Sequence, residues 1–343
     1  MRKILLFSIT ILGINLQAQI GGKNSFSFLD IPATARSSSL GGSSISARDD
    51  DPNLISDNPS ILDSNLDNRF SFNYVNFISD INAGNFMYSK SLKTRGAIGV
   101  GVQFLGYGQF TGAEANGQKT GEFKAGDYAI NGSYGTSFDS IWYLGSTIKF
   151  IYSNYETFQR TGLGTDLSGG FWSRNRLFNV NLALTNFGYA LKKNESNERE
   201  KLPFEIAIGL SRKIPKAPLR FHLQFQNLQK FDLVTNDPNF EGKTNKKTGE
   251  VKKSAWSVDN YMRHIVFGAD IILHKNFVLT MAYNHKRKKE LAINGRGSAG
   301  LSFGAQVKIK RIQFNYAYSS YFVSGNSHHI GLTTNLNSYF RKG

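Results

Sequence analysis

The chain has 343 residues, of which 34 are glycine and none is cysteine, and its formal net charge is +16. The lack of cysteine excludes disulfides, thiolate metal sites and a lipid anchor on an N-terminal cysteine. No apolar run beyond the N-terminus reaches the length of about 20 residues that a membrane-spanning helix needs. The mean hydropathy of −0.32 still permits a membrane β-barrel, because only every second residue of each strand faces lipid.

The N-terminus has the three parts of an export signal. The first two residues after the initiator methionine are basic, residues 4–16 are apolar, and Ala18-Gln19 offer a small residue and a polar exit. This order is typical of a secretory signal peptide that is cleaved after Ala18 or Gln19. We therefore expect residues 1–19 to be a signal peptide.

Apolar and polar residues alternate in repeated short segments over most of the chain. Phe221, Leu223 and Phe225 share one face of such a segment, and His222 and Gln224 share the other. Period-two alternation predicts β-strands with one apolar and one polar face. The segments run for about ten residues, a membrane-spanning length, whereas soluble strands usually have about five or six. The pattern predicts an all-β protein, a transmembrane antiparallel β-barrel.

The segmentation predicts about fourteen strands, an even number as bacterial barrels prefer. They are expected near 69–77, 82–91, 95–106, 122–137, 141–153, 162–173, 176–187, 203–213, 218–228, 261–273, 276–286, 298–309, 311–320 and 327–337. We therefore expect a barrel domain over residues 69–343.

The connections between these strands alternate in length. Those after even-numbered strands are short, such as 139–140 and 174–175, whereas the connection after the ninth strand covers 229–260. Bacterial barrels have short periplasmic turns and long extracellular loops. The alternation predicts an outer-membrane barrel with both termini in the periplasm and the long connections outside the cell.

Basic residues are concentrated near three long connections, 188–202, 229–260 and 287–297. This clustering in loops argues against nucleic acid as the partner. Two interpretations remain open: solvated rims, or a docking surface for anionic lipopolysaccharide or an acidic protein. The candidate docking residues are Lys192, Lys193, Lys243, Lys246, Lys247, Lys252, Lys253, Lys286, Arg287, Lys288 and Lys289.

Residues 20–68 precede the first strand and do not alternate. They are polar and rich in turn-forming Gly and Asn-Pro elements. Such a segment is either a periplasmic tail or a plug, and the wide lumen of a fourteen-stranded barrel, which protein or water must fill, favours a plug. Asp49, Asp50 and Asp51 either pair with Lys or Arg of the lumen and latch this segment, or form a solvated acidic turn.

The run from Ala35 to Leu62 resembles the N-terminal hatch of FadL-like outer-membrane proteins. These share a Gly pattern, an acidic cluster and an Asn-Pro-Ala-Leu-like sequence, from which Ser60 and Ile61 depart here. The residues that match the hatch motif are Gly41, Gly42, Asp49, Asp50, Asp51, Asn58 and Pro59. Residues 21–42 narrow the resemblance to the PorQ-like proteins of the Bacteroidetes type IX secretion system, which are relatives of the PorV barrel.

The resemblance to PorQ-like proteins implies a non-enzymatic role in secretion. Such a barrel would hold a PorZ-like surface protein that takes part, with other type IX secretion components, in attaching cargo to anionic lipopolysaccharide. The resemblance to FadL-like proteins implies the alternative, a transporter of hydrophobic small molecules. An apolar lumen pocket and a gap in the wall would favour transport, whereas a filled lumen with ordered loops would favour docking.

The sequence lacks the pattern of a catalytic or metal site. The six histidines are scattered, and only His328 and His329 are adjacent, where successive strand residues point to opposite faces. A phosphate-binding glycine loop is also missing, because Gly99-Val100-Gly101 lacks a third glycine and a following helix. We expect no enzymatic activity, no metal and no cofactor.

The third predicted strand contains Gly96, Gly99, Gly101 and Gly106. Glycine inside a strand marks a kink, a bulge or the close approach of another backbone. FadL-like barrels have a kinked third strand that opens the wall, and small residues that make room for a hatch are the other interpretation. An unbroken ladder from Arg95 to Leu105 would exclude the kink.

Overall fold

The computed structural model describes residues 25–77, 80–113, 118–156, 158–193, 197–234, 243–244, 251–252, 256–291, 298–322 and 325–340. The expected signal peptide lies outside these ranges. Within them, fourteen strands form one closed antiparallel barrel, which confirms the predicted fold class and strand number.

The strands follow one another in chain order around the barrel, and pairing of the first with the last closes it. With the two strands outside the barrel included, the described strands are β1 (Arg69–Asn76), β2 (Asn82–Ser91), β3 (Ala97–Ala113), β4 (Lys119–Phe138), β5 (Trp142–Tyr155), β6 (Phe158–Trp172), β7 (Phe178–Ala190), β8 (Glu205–Lys213), β9 (Leu219–Phe225), β10 (Lys243–Thr244), β11 (Val251–Lys252), β12 (Ile265–His274), β13 (Phe277–Asn284), β14 (Leu301–Ile309), β15 (Ile312–Phe322) and β16 (Gly325–Asn335). Of these, β10 and β11 form a separate two-stranded hairpin.

The two faces of the wall differ in polarity, as the alternation predicts. On β1, Ser71, Asn73 and Val75 are buried on the inner face, whereas Phe72 and Tyr74 are exposed on the outer face. Exposed apolar side chains continue this outer belt around the barrel: Phe86, Ile130, Leu144, Ile148, Phe267, Met281, Phe303, Phe314 and Ile330. Closure pairs the backbone groups of every strand, which the hydrocarbon core of a membrane requires.

The two ends of the barrel differ in their connections. The end with the connections after β2, β4, β6, β8, β12 and β14 is called the short-turn end, and the opposite one the loop end. The longest described helices, α2 (Val258–Arg263) and α3 (His285–Leu291), lie at the loop end, whereas α4 (Asn337–Phe340) follows β16 at the short-turn end. No helix within the described ranges has the length and apolar character to span a membrane.

Residues 25–68, called the inner segment, lie inside the barrel. They contain α1 (Ala35–Ser39) and short 3-10 turns at Ser27–Asp30, Pro52–Ser56, Pro59–Ile61 and Ser64–Leu66. Asp51, Asn58 and Asp63 start three of these turns, because each side chain accepts a hydrogen bond from the backbone N–H two residues later. The inner segment contacts the inward faces of strands on all sides of the closed wall, which places it in the lumen.

The ladder of β3 corrects one expectation. β3 pairs with both β2 and β4 without interruption from Ala97 to Gly106. There is therefore no kink between Ala97 and Gly106, whereas Arg95 and Gly96, which the prediction placed in this strand, belong to the turn before it. The first shift of register against β4 comes between Gly106 and Gln109, close to the loop end, where Gly108 has a φ of 87°.

Candidate functional site

The inner segment crosses the whole lumen. At the loop end, Ser25 accepts a hydrogen bond from Arg160 Nη1 at 2.8 Å and contacts Glu200 in the connection after β7. At the short-turn end, the Leu66 carbonyl accepts a hydrogen bond from Ser89 Oγ of β2 at 2.7 Å. The lumen is thus occupied from one rim to the other.

This path separates the two ends of the described chain. Ser25 lies at the loop end and α4 lies at the short-turn end. The even number of strands in the sequence-based prediction places both termini on the periplasmic side. An even number of strands requires only that β1 begins at the end of the barrel where β16 ends, and these two strand ends are indeed paired. It does not indicate that the inner segment crosses the lumen before β1 begins.

A buried ion network fastens the middle of the inner segment to the wall. Arg36 of α1 donates from Nη1 and Nη2 to the two carboxylate oxygens of Asp270 on β12, at 3.0 and 2.8 Å. Arg36 also donates from Nε to Asp49 at 3.0 Å. Arg220 of β9 joins the same two carboxylates, at 2.6 Å from each. Two guanidinium groups therefore neutralise two carboxylates inside the lumen.

His222 extends this network to a third point of the inner segment. Its Nε2 lies 3.0 Å from Asp270 Oδ2, and its Nδ1 lies 2.9 Å from the Ser46 hydroxyl. The Asp270 carboxylate also accepts a hydrogen bond from Thr280 of β13 at 2.7 Å. Asp270 is fully buried, so these partners replace the water that a carboxylate otherwise needs.

The three consecutive aspartates have different environments. Burial by itself would raise the pKa of Asp49. The adjacent Arg220 and Arg36 have the larger effect and hold this pKa at about 2. Asp50 is exposed and pairs with Arg69 at the rim. Asp51 is buried, has no ion pair among the described residues, and accepts hydrogen bonds from Thr333 and Asn315.

Burial raises the pKa of Asp51 above its ordinary value. Asp49 is thus the ionised member that joins the inner segment to a strand cation, and Asp51 is held by neutral groups. The sequence pattern of three aspartates does not distinguish these roles, since the distinction depends on which wall residue each one faces.

The Gly41-Gly42 pair lies where the inner segment packs closely against the wall. Gly41 has a φ of 85°, and a Cβ at this position would lie 2.5 Å from Val266 Cγ1. The Gly41 carbonyl accepts hydrogen bonds from Asn284 at 2.9 Å and from Arg287 Nη2 at 3.1 Å. Only glycine combines this backbone conformation with this space.

Glycines of the wall provide room for the Asn58-Pro59 turn. A Cβ on Gly145 of β5 would lie 2.2 Å from the Pro59 carbonyl carbon, and a Cβ on Gly135 of β4 would lie 2.5 Å from Leu62 Cβ. On β3, a Cβ on Gly99 would lie 3.5 Å from Leu62 Cδ1. These strand glycines let the inner segment pack against the wall backbone.

Arg48 holds the inner segment at the short-turn end. Its guanidinium lies 3.6 Å from the centroid of the Tyr143 ring and 4.8 Å from that of Trp172. It also pairs with Asp63 at 2.9 Å. This stacking on two wall aromatics is absent from the sequence-based set of candidate residues, because it joins positions far apart in the chain.

The loop end of the lumen is apolar. Phe26 and Phe28 of the inner segment are buried there against inward-facing wall residues, and this group is called the loop-end apolar cluster. Its wall members are Val75, Phe77, Ala83, Leu105, Ala129, Ile151, Ala190 and Leu202. The remainder of the inner face is mainly polar, with buried Asn73, Asn85, Asn131, Asn181, Gln224, Asn315 and Thr333.

The basic residues proposed for docking do not form one surface in the described part of the chain. Lys192 and Lys193 are exposed after β7, and Lys289 is exposed on α3. Lys286 and Lys288 are half-buried, and Lys286 donates to Asn227 at 3.2 Å.

Arg287 points inward, toward the Gly41 carbonyl, rather than to solvent. Lys243 and Lys252 are register partners in the β10–β11 hairpin. Lys246, Lys247 and Lys253 lie outside the described residues. Arg287, one of the residues predicted to dock a partner, therefore binds the inner segment instead.

The described residues contain no group of three or more metal-ligating side chains. His328 is exposed on the outer face and His329 is buried on the inner face, as alternation along a strand requires. The polar clusters that are present link the inner segment to the wall, and the arrangement serves to hold a segment in the lumen.

Solved structures similar to this chain are outer-membrane barrels named as transporters or channels. The Ralstonia pickettii toluene transporter TbuX aligns with a TM-score of 0.51 and 13% identity, over 89% of this chain and 98% of that protein. A mutant of the TodX monoaromatic hydrocarbon channel aligns with a TM-score of 0.52 and 12% identity, over 89% of this chain and 97% of that protein. A Pseudomonas aeruginosa FadL homologue aligns with a TM-score of 0.48 and 9% identity, over 89% of this chain and 98% of that protein.

No protein-family model matches the chain. No curated protein sequence matches it either. The likeness to solved structures, at 12–13% identity, establishes a shared fold and not a shared substrate. The chain shares with TbuX and TodX the fold of an outer-membrane barrel, here a closed antiparallel barrel of fourteen strands.

Proposed function

We propose that this protein is an outer-membrane channel for hydrophobic small molecules, with the inner segment as its hatch and the loop end outside the cell. The supporting observation is the loop-end apolar cluster, in which Phe26 and Phe28 fill a chamber lined by apolar wall residues. Water and ions do not need an apolar lining of this kind. TbuX is named a toluene transporter and TodX a monoaromatic hydrocarbon channel, which is consistent with an apolar cargo.

In this proposal the phenylalanines occupy the place of the cargo. Phe28 is 1% exposed and Phe26 is 7% exposed, so a ligand enters the chamber only when one of these rings leaves it. The ion network around Asp270 keeps the middle of the inner segment attached to the wall during this exchange. Transport then requires a further movement of the inner segment along the lumen.

Uptake of radiolabelled toluene and oleate tests the proposal. The full chain is expressed in a host strain that lacks its own long-chain fatty-acid channel, and uptake is compared with that of the same strain carrying an empty vector. We expect faster uptake of at least one probe. Equal uptake in both strains, with the barrel shown to be in the outer membrane, would contradict the proposal.

The variant Phe28→Ala tests ligand binding in the loop-end apolar cluster by itself. Removing a buried ring leaves an apolar cavity of the kind that binds small aromatic molecules. We expect the purified variant to bind toluene more tightly than the wild-type protein. The matched control is Phe72→Ala, which removes the same ring from the lipid-facing side and is expected to leave toluene binding unchanged.

A second candidate function is docking of a surface protein in type IX secretion, as the PorQ-like resemblance of residues 21–42 implies. The supporting observation is the loop-end surface, where Trp256 and Val258 are 77% and 78% exposed. Val258 is the first residue of α2. This helix is fastened, because Asp259 accepts from Arg263 Nε at 2.8 Å and pairs with His285 at 2.9 Å. A fixed, exposed apolar pair outside the membrane suits a protein partner.

Affinity purification of the tagged barrel from its native outer membrane tests this second function. Recovery of a large surface protein together with other secretion components is expected, and Trp256→Ser with Val258→Ser should reduce it. Lys213→Gln with Lys216→Gln, exposed at the short-turn end, is the control that should not. Recovery no greater than with an unrelated tagged barrel would count against docking.

A further inference from the structure

A cavity of about 340 Å³ opens at the short-turn end, away from the loop-end apolar cluster. It lies between the β14–β15 turn, the paired ends of β1 and β16, and α4. Four cationic side chains line it: Arg69, Lys308, Lys310 and Arg311. Among the described residues that line it there is no Asp or Glu.

The cations of this cavity are largely free of acidic partners. The described ion pairs include none that involves Lys308, Lys310 or Arg311, and Arg311 lies 5.1 Å from the centroid of the Tyr339 ring. Arg69 pairs with Asp50, whose side chain is 67% exposed. The three cations without a described ion pair, Lys308, Lys310 and Arg311, repel one another, and an anion bound among them relieves this repulsion.

The positions of the cations follow from strand register. Lys308 pairs with Gln313 across β14 and β15, so both lie on the inner face at the rim. Arg69 pairs with Asn335 across β1 and β16. Lys310 and Arg311 form the tight turn between β14 and β15, and Lys310 has a φ of 53°. The backbone of the wall therefore holds these charges together, and the set does not depend on a mobile loop.

Neutral hydrogen-bonding groups complete the lining. Gln313 and Asn337 line the cavity together with hydroxyl side chains of β16 and α4. Asn337 is itself fixed, since its Nδ2 donates to Asp67 at 2.8 Å and its Oδ1 accepts from Asn68 at 2.6 Å. Arginine and lysine with neutral donors are the groups that bind phosphate oxygens in proteins.

The rim of the cavity adjoins the lipid-facing belt. Ile309 and Ile312, which flank the basic turn, are exposed on the outer face at 57% and 37%. A phosphate held by the turn can thus belong to a lipid whose acyl chains lie along these residues, or to a free phosphorylated molecule. Both sources present the same anionic oxygens to the same cations.

We propose that the cavity formed by Arg69, Lys308, Lys310 and Arg311 is a binding site for a phosphate group at the short-turn end of the barrel. The site contacts the inner segment through Arg69 and Asn337, and it lies at the opposite end of the barrel from the loop-end apolar cluster.

Two binding measurements on the full-length barrel test the site. Inorganic pyrophosphate is titrated calorimetrically into the delipidated protein in neutral detergent. In parallel, native mass spectrometry counts the phosphatidylglycerol that remains bound after extraction from nanodiscs with equal amounts of phosphatidylglycerol and phosphatidylcholine. Retention of phosphatidylglycerol alone identifies a lipid headgroup as the source, and binding of pyrophosphate alone identifies a free phosphate compound.

The variant Lys308→Gln, Lys310→Gln, Arg311→Gln removes three of the four cations. We expect it to weaken whichever ligand binds by at least about tenfold, since each charge-assisted hydrogen bond lost is worth about that factor. The control is Lys213→Gln, Lys216→Gln, Lys275→Gln, three exposed lysines on other turns of the same end, and we expect less than about a twofold change. Absence of binding by both probes, or equal weakening in the variant and the control, would overturn the proposal.

Discussion

Arg36 of the inner segment and Asp270 of β12 form a two-point ion pair inside the barrel, with Nη1–Oδ1 and Nη2–Oδ2 distances of 3.0 and 2.8 Å. Both side chains are fully buried. They are separated by 234 positions in the chain, so the pair forms only when the wall has closed around the inner segment. The following predictions concern this attachment and the contacts around it.

Asp270→Asn removes the carboxylate on which Arg36, Arg220 and His222 converge. Two buried guanidinium groups then share the charge of Asp49 alone. Loss of one partner from a buried pair costs about 3–5 kcal/mol. We expect trypsin to cleave the inner segment faster in the folded variant than in the wild-type protein.

Asp139→Asn is the control for this substitution. Its pair with Arg174 spans 3.7 Å and both side chains are more than 70% exposed, at 72% and 82%. We expect no change in the cleavage rate, since exposed pairs contribute little. Equal rates for all three proteins would show that the Asp270 network does not hold the inner segment.

Single neutralisation of the three aspartates should give three different results. Asp49→Asn should loosen the inner segment by about 1–3 kcal/mol, because Arg220 and Arg36 lose a charged acceptor. Asp50→Asn should have little effect at its exposed site. Asp51→Asn should leave the segment equally or more firmly held, since burial already raises the pKa of Asp51.

Tryptic cleavage rates of the inner segment, measured side by side, distinguish the three aspartates. The triple variant should behave like Asp49→Asn. If the triple variant keeps the protease resistance of the wild-type protein, the aspartates do not form a latch.

Acid should weaken the attachment through Asp49. Its folded-state pKa of about 2 lies below the ordinary value of 3.8, so its stabilising contribution is complete above the ordinary pKa. That contribution decreases as the pH falls and is lost as the pH passes through the folded pKa. A shift of this size corresponds to about 2 kcal/mol.

The measurement is the difference in melting temperature between wild-type protein and Asp49→Asn at a series of pH values from about 5 to about 2. Other carboxylates titrate in both proteins and cancel in this comparison. The difference should shrink toward zero at the acid end. A constant difference across the series would exclude ionised Asp49 as the source.

Gly145→Ala should displace the Asn58-Pro59 turn. The added Cβ would lie 2.2 Å from the Pro59 carbonyl carbon. Overpacking of this kind lowers the free energy of unfolding by about 1–3 kcal/mol. The control is Gly132→Ala on β4, whose Cβ would meet no atom within 4 Å. Melting temperature in detergent should fall for the first variant and stay within error for the second, and equal melting would contradict the predicted contact.

The strand pattern in the sequence was sufficient to predict the barrel. The alternation of apolar and polar residues, as in Phe221, His222, Leu223 and Gln224, is a local property of the sequence. In each strand it indicates which face is apolar and contacts lipid. The closed structure has its fourteen barrel strands where this pattern places them, with differences at their ends. β3 and β4 extend farther toward the loop end than the alternation indicates, because their outer parts pair with each other beyond the apolar belt.

The sequence by itself determined the class of fold, the number of strands and the presence of a separate polar segment before them. Only the tertiary structure decided the path of that segment, which places Ser25 and α4 at opposite ends of the barrel. It also decided the partners of Arg36, Arg48 and Asp49. The physical reason is that strand alternation is set by neighbours two residues apart, whereas each contact in the lumen joins residues that closure of the barrel brings together from distant parts of the chain.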